Sequence, residues 1–277
     1  TTSNDGSIYI AGFTEGSFDG QINNWDEAYP GLYNGGRSGQ YIPSVPDAFV
    51  SKYTSDGTKE WTRFIGTNEL DGSDQSKNIN DNATGITTGS DGSIYVTGTT
   101  GWKLHGIVGG VHGNIFLIKY DPDGTRLWTK LFGGISARNA TGITTGSDGS
   151  IYITGSENSN SSWDSLIIKC DSDGTEVWTK NLETSTSNES QAIIIDSNEV
   201  IYYSGYTTGD LNGQTNNGNY DAFLSKYNPN PTDISLSSSS FNENIDAAST
   251  VATLSTTDAD ASDSHTYTLV SGTGDTD

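Results

Sequence analysis

The residues best suited to chemistry in this chain are aromatic. Trp25, Tyr29, Tyr33, Tyr41, Trp102 and Trp163 fall in stretches rich in Gly, Asn and Ser, with Arg37 among them. An indole or phenol ring offers an apolar face to the C–H side of a sugar, while neighbouring amides, carboxylates and a guanidinium bond its hydroxyls. The same rings would also serve to pack long loops onto the frame that carries them. Both readings stand at this point. His105 and His112 share one stretch and are candidates to meet on a metal, but neither a Cys nor a carboxylate lies between them. Asp121-x-Asp123-Gly124 and Asp171-x-Asp173-Gly174 resemble the opening of a Ca²⁺ loop without its closing Glu. Asp-Gly is equally ordinary turn chemistry. The acidic stretches from Asp19 to Glu27 and from Asp71 to Asp81 supply carboxylates for Ca²⁺, though no spacing selects the ligands. No Ser-His-Asp, paired-carboxylate or phosphate-loop pattern stands out, so catalysis is not expected; a polysaccharide lyase or hydrolase is the enzymatic alternative.

Composition limits what can position these groups. The chain has 277 residues with 13 basic and 35 acidic side chains, a formal charge of −22 that repels nucleic acid and anionic membrane surfaces. Hydrophobic residues make up 31% and aromatic residues 10%, beside 34 glycines, so the core must be thin, layered and β-like. Six Trp and 14 Tyr are too many for a disordered chain. No apolar run approaches the ~20 residues of a membrane-spanning helix, and no signal segment opens the sequence. The absence of Met predicts that the natural start was removed or never included. Cys170 stands alone, so no internal disulfide can form and stability must come from sheet packing or bound ions.

Internal repeats settle the elements. Asp-Gly-Ser-Ile-Tyr opens at Asp5, Asp91 and Asp148, with a weaker copy from Asn198. A phrase of the form apolar-apolar-x-Lys-Tyr ends at Tyr53, Tyr120, Cys170 and Tyr227, where Cys170 is a small apolar substitute. Asp-Gly-Thr-x-x-Trp-Thr places Trp61, Trp128 and Trp178, and Ala-Thr-Gly-Ile-Thr-Thr-Gly-Ser-Asp-Gly occurs from Ala83 and again from Ala140. Each phrase is a short β-branched and aromatic segment bounded by Gly, Asp, Asn or Ser, which is the mark of a strand. Asp-Gly supplies the positive φ of a tight hairpin, so each unit is a meander of four antiparallel strands. The repeated lysines fall at 52, 119, 169 and 226. About 50 residues per four strands is the size of a propeller blade. The fold expected is therefore all-β: a partial β-propeller of about four blades, the first and last incomplete, plus part of a β-sandwich domain. Trp61, Trp128 and Trp178 share one position in the unit and are expected to pack.

In such a meander the tight turns share one end and the remaining connections share the other. The latter vary: from the Gly closing the second strand to the residue opening the third, the steps run Gly12 to Asp47, Gly98 to Asn114, Gly155 to Asp164 and Gly205 to Asp221. Binding residues concentrate on irregular loops held by a rigid frame, and the aromatic set lies there.

The phrases Gly-x-Ile-Tyr-Val-Thr-Gly, Asp-Ala-Phe-Leu-Ser-Lys-Tyr and Asp-Gly-Thr-x-x-Trp-Thr resemble bacterial β-propeller repeats often called seven-bladed, over residues 1–228. That resemblance implies a secreted or surface protein without catalytic activity. Residues 229–231 read as a linker. Residues 232–277, with Asp233-Ile234-Ser235-Leu236, Phe241 to Asn244 and Thr257-Asp258-Ala259-Asp260, resemble the first part of a bacterial cadherin-like domain. In that family an acidic residue near the first strand and an Asp-x-Asp bind Ca²⁺, which carries over to Glu243, Asp258 and Asp260.

Together these features predict a non-catalytic secreted or cell-surface module for structure or adhesion, stabilised by Ca²⁺. The alternatives are a glycan-binding propeller, and a filament or surface-layer subunit whose unfinished blades are completed by strand exchange. The partners expected are other protein modules, copies of the chain or extracellular glycans, with no nucleic acid and no membrane insertion.

Overall fold

The computed structural model describes residues 1–16, 20, 46–66, 80–101, 103–110, 112–159, 162–182, 186–211, 213–229, 233–236 and 254–257. Every regular element among them is a strand, and every pairing is antiparallel. The chain is all-β.

Four sheets follow one another along the sequence, each with its strands in chain order. The first holds β1 (Ile8–Thr14), β2 (Asp47–Tyr53) and β3 (Lys59–Ile65). The second holds β4 (Asp81–Thr88), β5 (Ile94–Thr100), β8 (Asn114–Tyr120) and β9 (Arg126–Phe132). A two-stranded insert, β6 (Lys103–Leu104) and β7 (Ile107–Val108), interrupts it. The third holds β10 (Arg138–Thr145), β11 (Ile151–Ser159), β12 (Ser162–Cys170) and β13 (Glu176–Leu182). The fourth holds β14 (Asn188–Ile195), β15 (Ile201–Thr207) and β16 (Asp221–Tyr227). A separate pair, β17 (Asp233–Leu236) and β18 (Leu254–Thr257), lies beyond.

The tight turns form as their Asp residues dictate. Asp91 Oδ1 accepts the Ser93 N–H at 3.0 Å while Gly92 takes φ +81°, and Asp148 with Ser150 and Gly149 repeats the arrangement at 2.8 Å and +83°. The carboxylate does locally what a backbone carbonyl would do, and Gly accepts the left-handed conformation without a steric penalty. In the weaker fourth copy Glu199 holds that position at φ +61°.

Consecutive sheets pack face on face, and the core lies between them. Tyr9, Ala48, Val50 and Ile65 of the first sheet meet Ile94, Val96, Phe116 and Ile118 of the second. Ile115, Leu117 and Phe132 of the second meet Ile151, Ile153, Leu166, Ile168 and Cys170 of the third. Tyr152 and Ile167 of the third meet Ile201 and Tyr203 of the fourth.

The first strands β4, β10 and β14 stand side by side. Each carries a β-bulge, between Ala83 and Gly85, Ala140 and Gly142, and Ser190 and Ala192. A bulge turns one side chain out of the ladder. Here the Thr84 hydroxyl donates to the Ala140 carbonyl at 2.8 Å, and the Thr141 hydroxyl donates to that of Ser190 at 2.7 Å. Gly85 is needed beside the first of these crossings, since a Cβ there would stand 3.0 Å from a methyl of Ile143.

Candidate functional site

The site is an end of the array. Antiparallel pairing puts the Asp-Gly turns at one end and the connections β1–β2, β5–β8, β11–β12 and β15–β16 at the other, together with β3–β4, β9–β10 and β13–β14. Trp25, Tyr29, Tyr33, Arg37, Tyr41 and Trp102 belong to these connections and lie outside the described residues, as do Glu243, Asp258 and Asp260. The acidic stretches 19–27 and 71–81 fall almost wholly outside them as well.

Trp163 is described, and its setting corrects the expectation of an irregular loop. β11 and β12 run on to Ser159 and Ser162, so Trp163 sits in a strand opposite Asn158. The half-buried residue donates its backbone N–H to Ser187 Oγ at 3.1 Å. It is therefore fixed against the β13–β14 connection.

The end of β15 and the β15–β16 connection together carry an aromatic pair that sequence reasoning passed over. The rings of Tyr206 and Tyr220 meet edge to face with centroids 5.6 Å apart, and Tyr220 is 68% exposed. Asp210 accepts the Asn216 N–H at 2.8 Å and Asp221 accepts that of Asn217 at 2.7 Å. Burial, with a hydrogen bond to Glu189, raises the Tyr206 phenol above its usual range, so it stays neutral. An exposed ring beside fixed amides and carboxylates is the combination suited to a sugar. The available signal was Gly-Asn-Tyr just before a strand, which composition alone does not separate from turn chemistry.

Among the described residues a charged cluster lies on the third sheet near the same end. The Arg138 guanidinium meets Glu157 through Nε and one terminal nitrogen, both at 3.2 Å, and Asn181 Nδ2 donates to the same carboxylate at 3.1 Å. Asp164 pairs with Glu157 across the strands and accepts from the Ser159 hydroxyl. The hairpin thus brings two carboxylates together, which spacing alone had not revealed. Glu157 is held by Arg138 and Asn181, Asp164 accepts from Ser159 on Oδ2 while its Oδ1 is buried without a hydrogen-bond partner, and both side chains are largely buried. A shallow cleft of about 40 Å³ between the third and fourth sheets is lined by Ile167, Lys180, Leu182, Tyr203 and Tyr227 among others. That admits a few waters and falls short of the several hundred Å³ of a small-molecule pocket.

His105 turns the β6–β7 hairpin at φ +51° and bonds Thr129 Oγ1 at 2.9 Å through Nδ1. Burial, with Arg126 nearby, pulls its pKa down to about 4, so the ring is neutral at ordinary pH. Asp121 Oδ1 accepts the N–H groups of Asp123 and Thr125 at 3.0 and 2.8 Å, and Asp171 treats Asp173 and Thr175 alike. These carboxylates serve their turns. Among the described residues no three His, Cys, Asp or Glu side chains gather as metal ligands.

The repeated tryptophans have like surroundings. Trp61, Trp128 and Trp178 lie across from Lys52, Lys119 and Lys169, which in turn face Tyr9, Tyr95 and Tyr152. Ring centroids of Tyr and Trp are 6.2, 6.1 and 6.3 Å apart. The lysine ammonium of each row lies 6.0, 5.2 and 5.2 Å from the tyrosine centroid, within cation–π range.

No family model matches the chain. A regulatory protein of Caulobacter vibrioides, FlaEY, is 26% identical to it over 169 residues. The match takes in 57% of this chain and 15% of FlaEY, so the chain answers to a small part of that protein.

Proposed function

We propose that the chain is a non-catalytic, secreted or cell-surface module for structure and adhesion, built as a propeller-type arc followed by part of a cadherin-like sandwich. The observation that carries this reading is the segregation of connections: tight turns fill one end and the connections of varied length are gathered at the other. The side-by-side first strands, with their crossing threonine bonds, support the arc. Rigid sheets that hold variable loops at one end suit recognition. Carboxylates spent on Arg138 and on turns do not suit acid–base work. Ca²⁺ held by Glu243, Asp258 and Asp260 completes the proposal, and a chelator should lower the melting temperature.

Beads coated with the chain test the adhesion reading. Retention on extracellular matrix and glycan surfaces is expected. Replacing residues 18–44, which carry Trp25, Tyr29, Tyr33, Arg37 and Tyr41, with a short Gly-Ser linker should reduce it while leaving the melting temperature within a few degrees. Equal retention by the two would contradict the reading.

A second reading, direct glycan contact, is favoured by the exposed Tyr220 against Tyr206. On a glycan array, Tyr220→Ala should lose the retained sugars; an unchanged profile would count against it.

A further inference from the structure

One row of side chains in the third sheet departs from its counterparts in the other sheets. In the second sheet, at the end away from the Asp-Gly turns, Asp81 pairs with Thr100, Thr100 pairs with Asn114, and Leu131 lies opposite Phe116. The third sheet holds Arg138, Glu157, Asp164 and Asn181 at the places of Asp81, Thr100, Asn114 and Leu131. Threonine returns at the place of Glu157 in the first and fourth sheets, as Thr14 and Thr207, and Phe64 holds the place of Asn181 in the first. Asp164 follows its repeat, since Asp47 and Asp221 stand at the same place. In this sheet, then, a threonine and an apolar residue have given way to oxygen-bearing side chains beside a buried aspartate.

Register sets these groups on one face. Glu157 lies opposite Asp164, two residues from Leu166, and Leu166 belongs to the core between the second and third sheets. Asn181 lies opposite Leu166. Both sheets have four strands, so the row lies inside the array and not on one of its end faces.

The row is short of positive charge and of donors. The guanidinium of Arg138 meets the carboxylate of Glu157, and these two charges cancel. Asp164 is 4% exposed; its Oδ2 accepts from the Ser159 hydroxyl, a neutral donor, and its Oδ1 is buried with no hydrogen-bond partner. Asn181 gives its Nδ2 to Glu157 and keeps a buried Oδ1 with no partner. Both unsatisfied atoms are acceptors. Burial of a carboxylate without a counter-charge is costly, and a bare cation is the one occupant small enough for so enclosed a place that answers both oxygens.

We propose that Asp164 Oδ1 and Asn181 Oδ1 hold a Ca²⁺ ion between the second and third sheets, with Glu157 adding to the negative field. Ca²⁺ takes carboxylate, amide and carbonyl oxygens in irregular arrangements, whereas Mg²⁺ demands a near-perfect octahedron. One carboxylate ligand and one amide ligand set a weak affinity, on the order of 10⁻⁴–10⁻³ M. The ion ties β12 to β13 beside the connections of varied length. This site is independent of the one assigned to Glu243, Asp258 and Asp260.

Terbium emission excited through indole separates the two sites, because Trp163 adjoins Asp164 in sequence and residues 232–277 contain no Trp. The full chain should give terbium emission that Ca²⁺ displaces and that Mg²⁺ displaces poorly. Asp164→Asn should weaken Ca²⁺ binding about tenfold or more with the β circular dichroism unchanged, since the second sheet carries Asn114 at that place. Asn181→Leu, which copies Leu131, should weaken it in the same direction and serves if the first variant fails to fold. Asp258→Asn should leave the emission as it is, and Ca²⁺ should raise the melting temperature of that variant by a few degrees more than that of Asp164→Asn. Wild-type displacement in Asp164→Asn and Asn181→Leu overturns the proposal. So does emission that Asp258→Asn removes, or a wild type from which Ca²⁺ displaces none.

Discussion

The indole of Trp61 lies against Gly124 of the following sheet so closely that a Cβ at position 124 would stand 2.9 Å from two ring carbons. The same indole donates to the Pro122 carbonyl at 3.3 Å, and Arg63 Nε donates to that of Gly124 at 3.0 Å. Trp128 and Gly174 repeat the relation, with a ring carbon 2.7 Å from the added Cβ. The glycine of the third-to-fourth-strand turn thus does two things. It takes the positive φ of its own hairpin, and it leaves room for the tryptophan of the preceding sheet. At the end of the array Trp178 meets Tyr227 instead, edge to face at 5.9 Å.

Gly57 separates these two roles, because it has φ +86° and nothing within 4 Å of an added Cβ. Gly57→Ala should cost about 1–2 kcal/mol from backbone strain alone. Gly124→Ala and Gly174→Ala should cost about 2–4 kcal/mol, since displacement of the indole adds to it. Urea midpoints measure the difference. Equal losses at the three positions would show that the tryptophans do not depend on the turns.

His105 makes stability depend on pH. Its folded pKa of about 4 lies below the ordinary 6.5, so between these values the unfolded chain binds more protons than the folded one. The contribution of the neutral ring is complete above pH 6.5 and is lost as pH falls toward 4, by on the order of 1–2 kcal/mol after allowance for solvent screening. His105→Asn tolerates the positive φ and removes the titration. The wild type should lose more stability than this variant over that window; parallel curves would refute the assignment.

Cys170 is fully buried, and desolvation, with Glu176 and Asp171 nearby, pushes its thiol up to about 12. A thiol-specific disulfide reagent at pH 8 should label it only as fast as the third sheet opens, and promptly in denaturant. Stoichiometric labelling of the folded chain within minutes would place it at the surface.

Glu199 carries a side chain where its counterparts Gly92 and Gly149 carry none. Glu199→Gly should stabilise the fourth sheet by about 0.5–1.5 kcal/mol, read as slower amide exchange in β14 and β15. Faster exchange there would mean that the glutamate side chain offsets the strain.

Much of the frame was legible because short-range chemistry writes it. Asp-Gly fixes the turns at Gly92, Gly124, Gly149 and Gly174, and the β-branched and aromatic runs mark β8 and β12 as strands, which are buried on both faces. What escaped depends on partners distant in sequence. The polar residues on either side of Ser159 and Ser162 read as loop, yet β11 runs to Ser159 and β12 starts at Ser162, with the Asn158 N–H donating to the Ala137 carbonyl at 2.9 Å. The β6–β7 hairpin was signalled only by His105-Gly106, a pair that both take positive φ. Glu157 meets Arg138 and Asp164 only once β10, β11 and β12 are in register. The bulges at Thr84 and Thr141 answer to a neighbouring sheet that no local pattern contains.

In-order stacking of the sheets is tested most directly by the proton spectrum of the glycines beneath the indoles. The Hα resonances of Gly124 and Gly174 should be shifted strongly upfield by ring currents, the first returning to an ordinary position in Trp61→Leu and the second in Trp128→Leu. Unshifted resonances in the wild type, or shifts that survive both substitutions, would contradict the account.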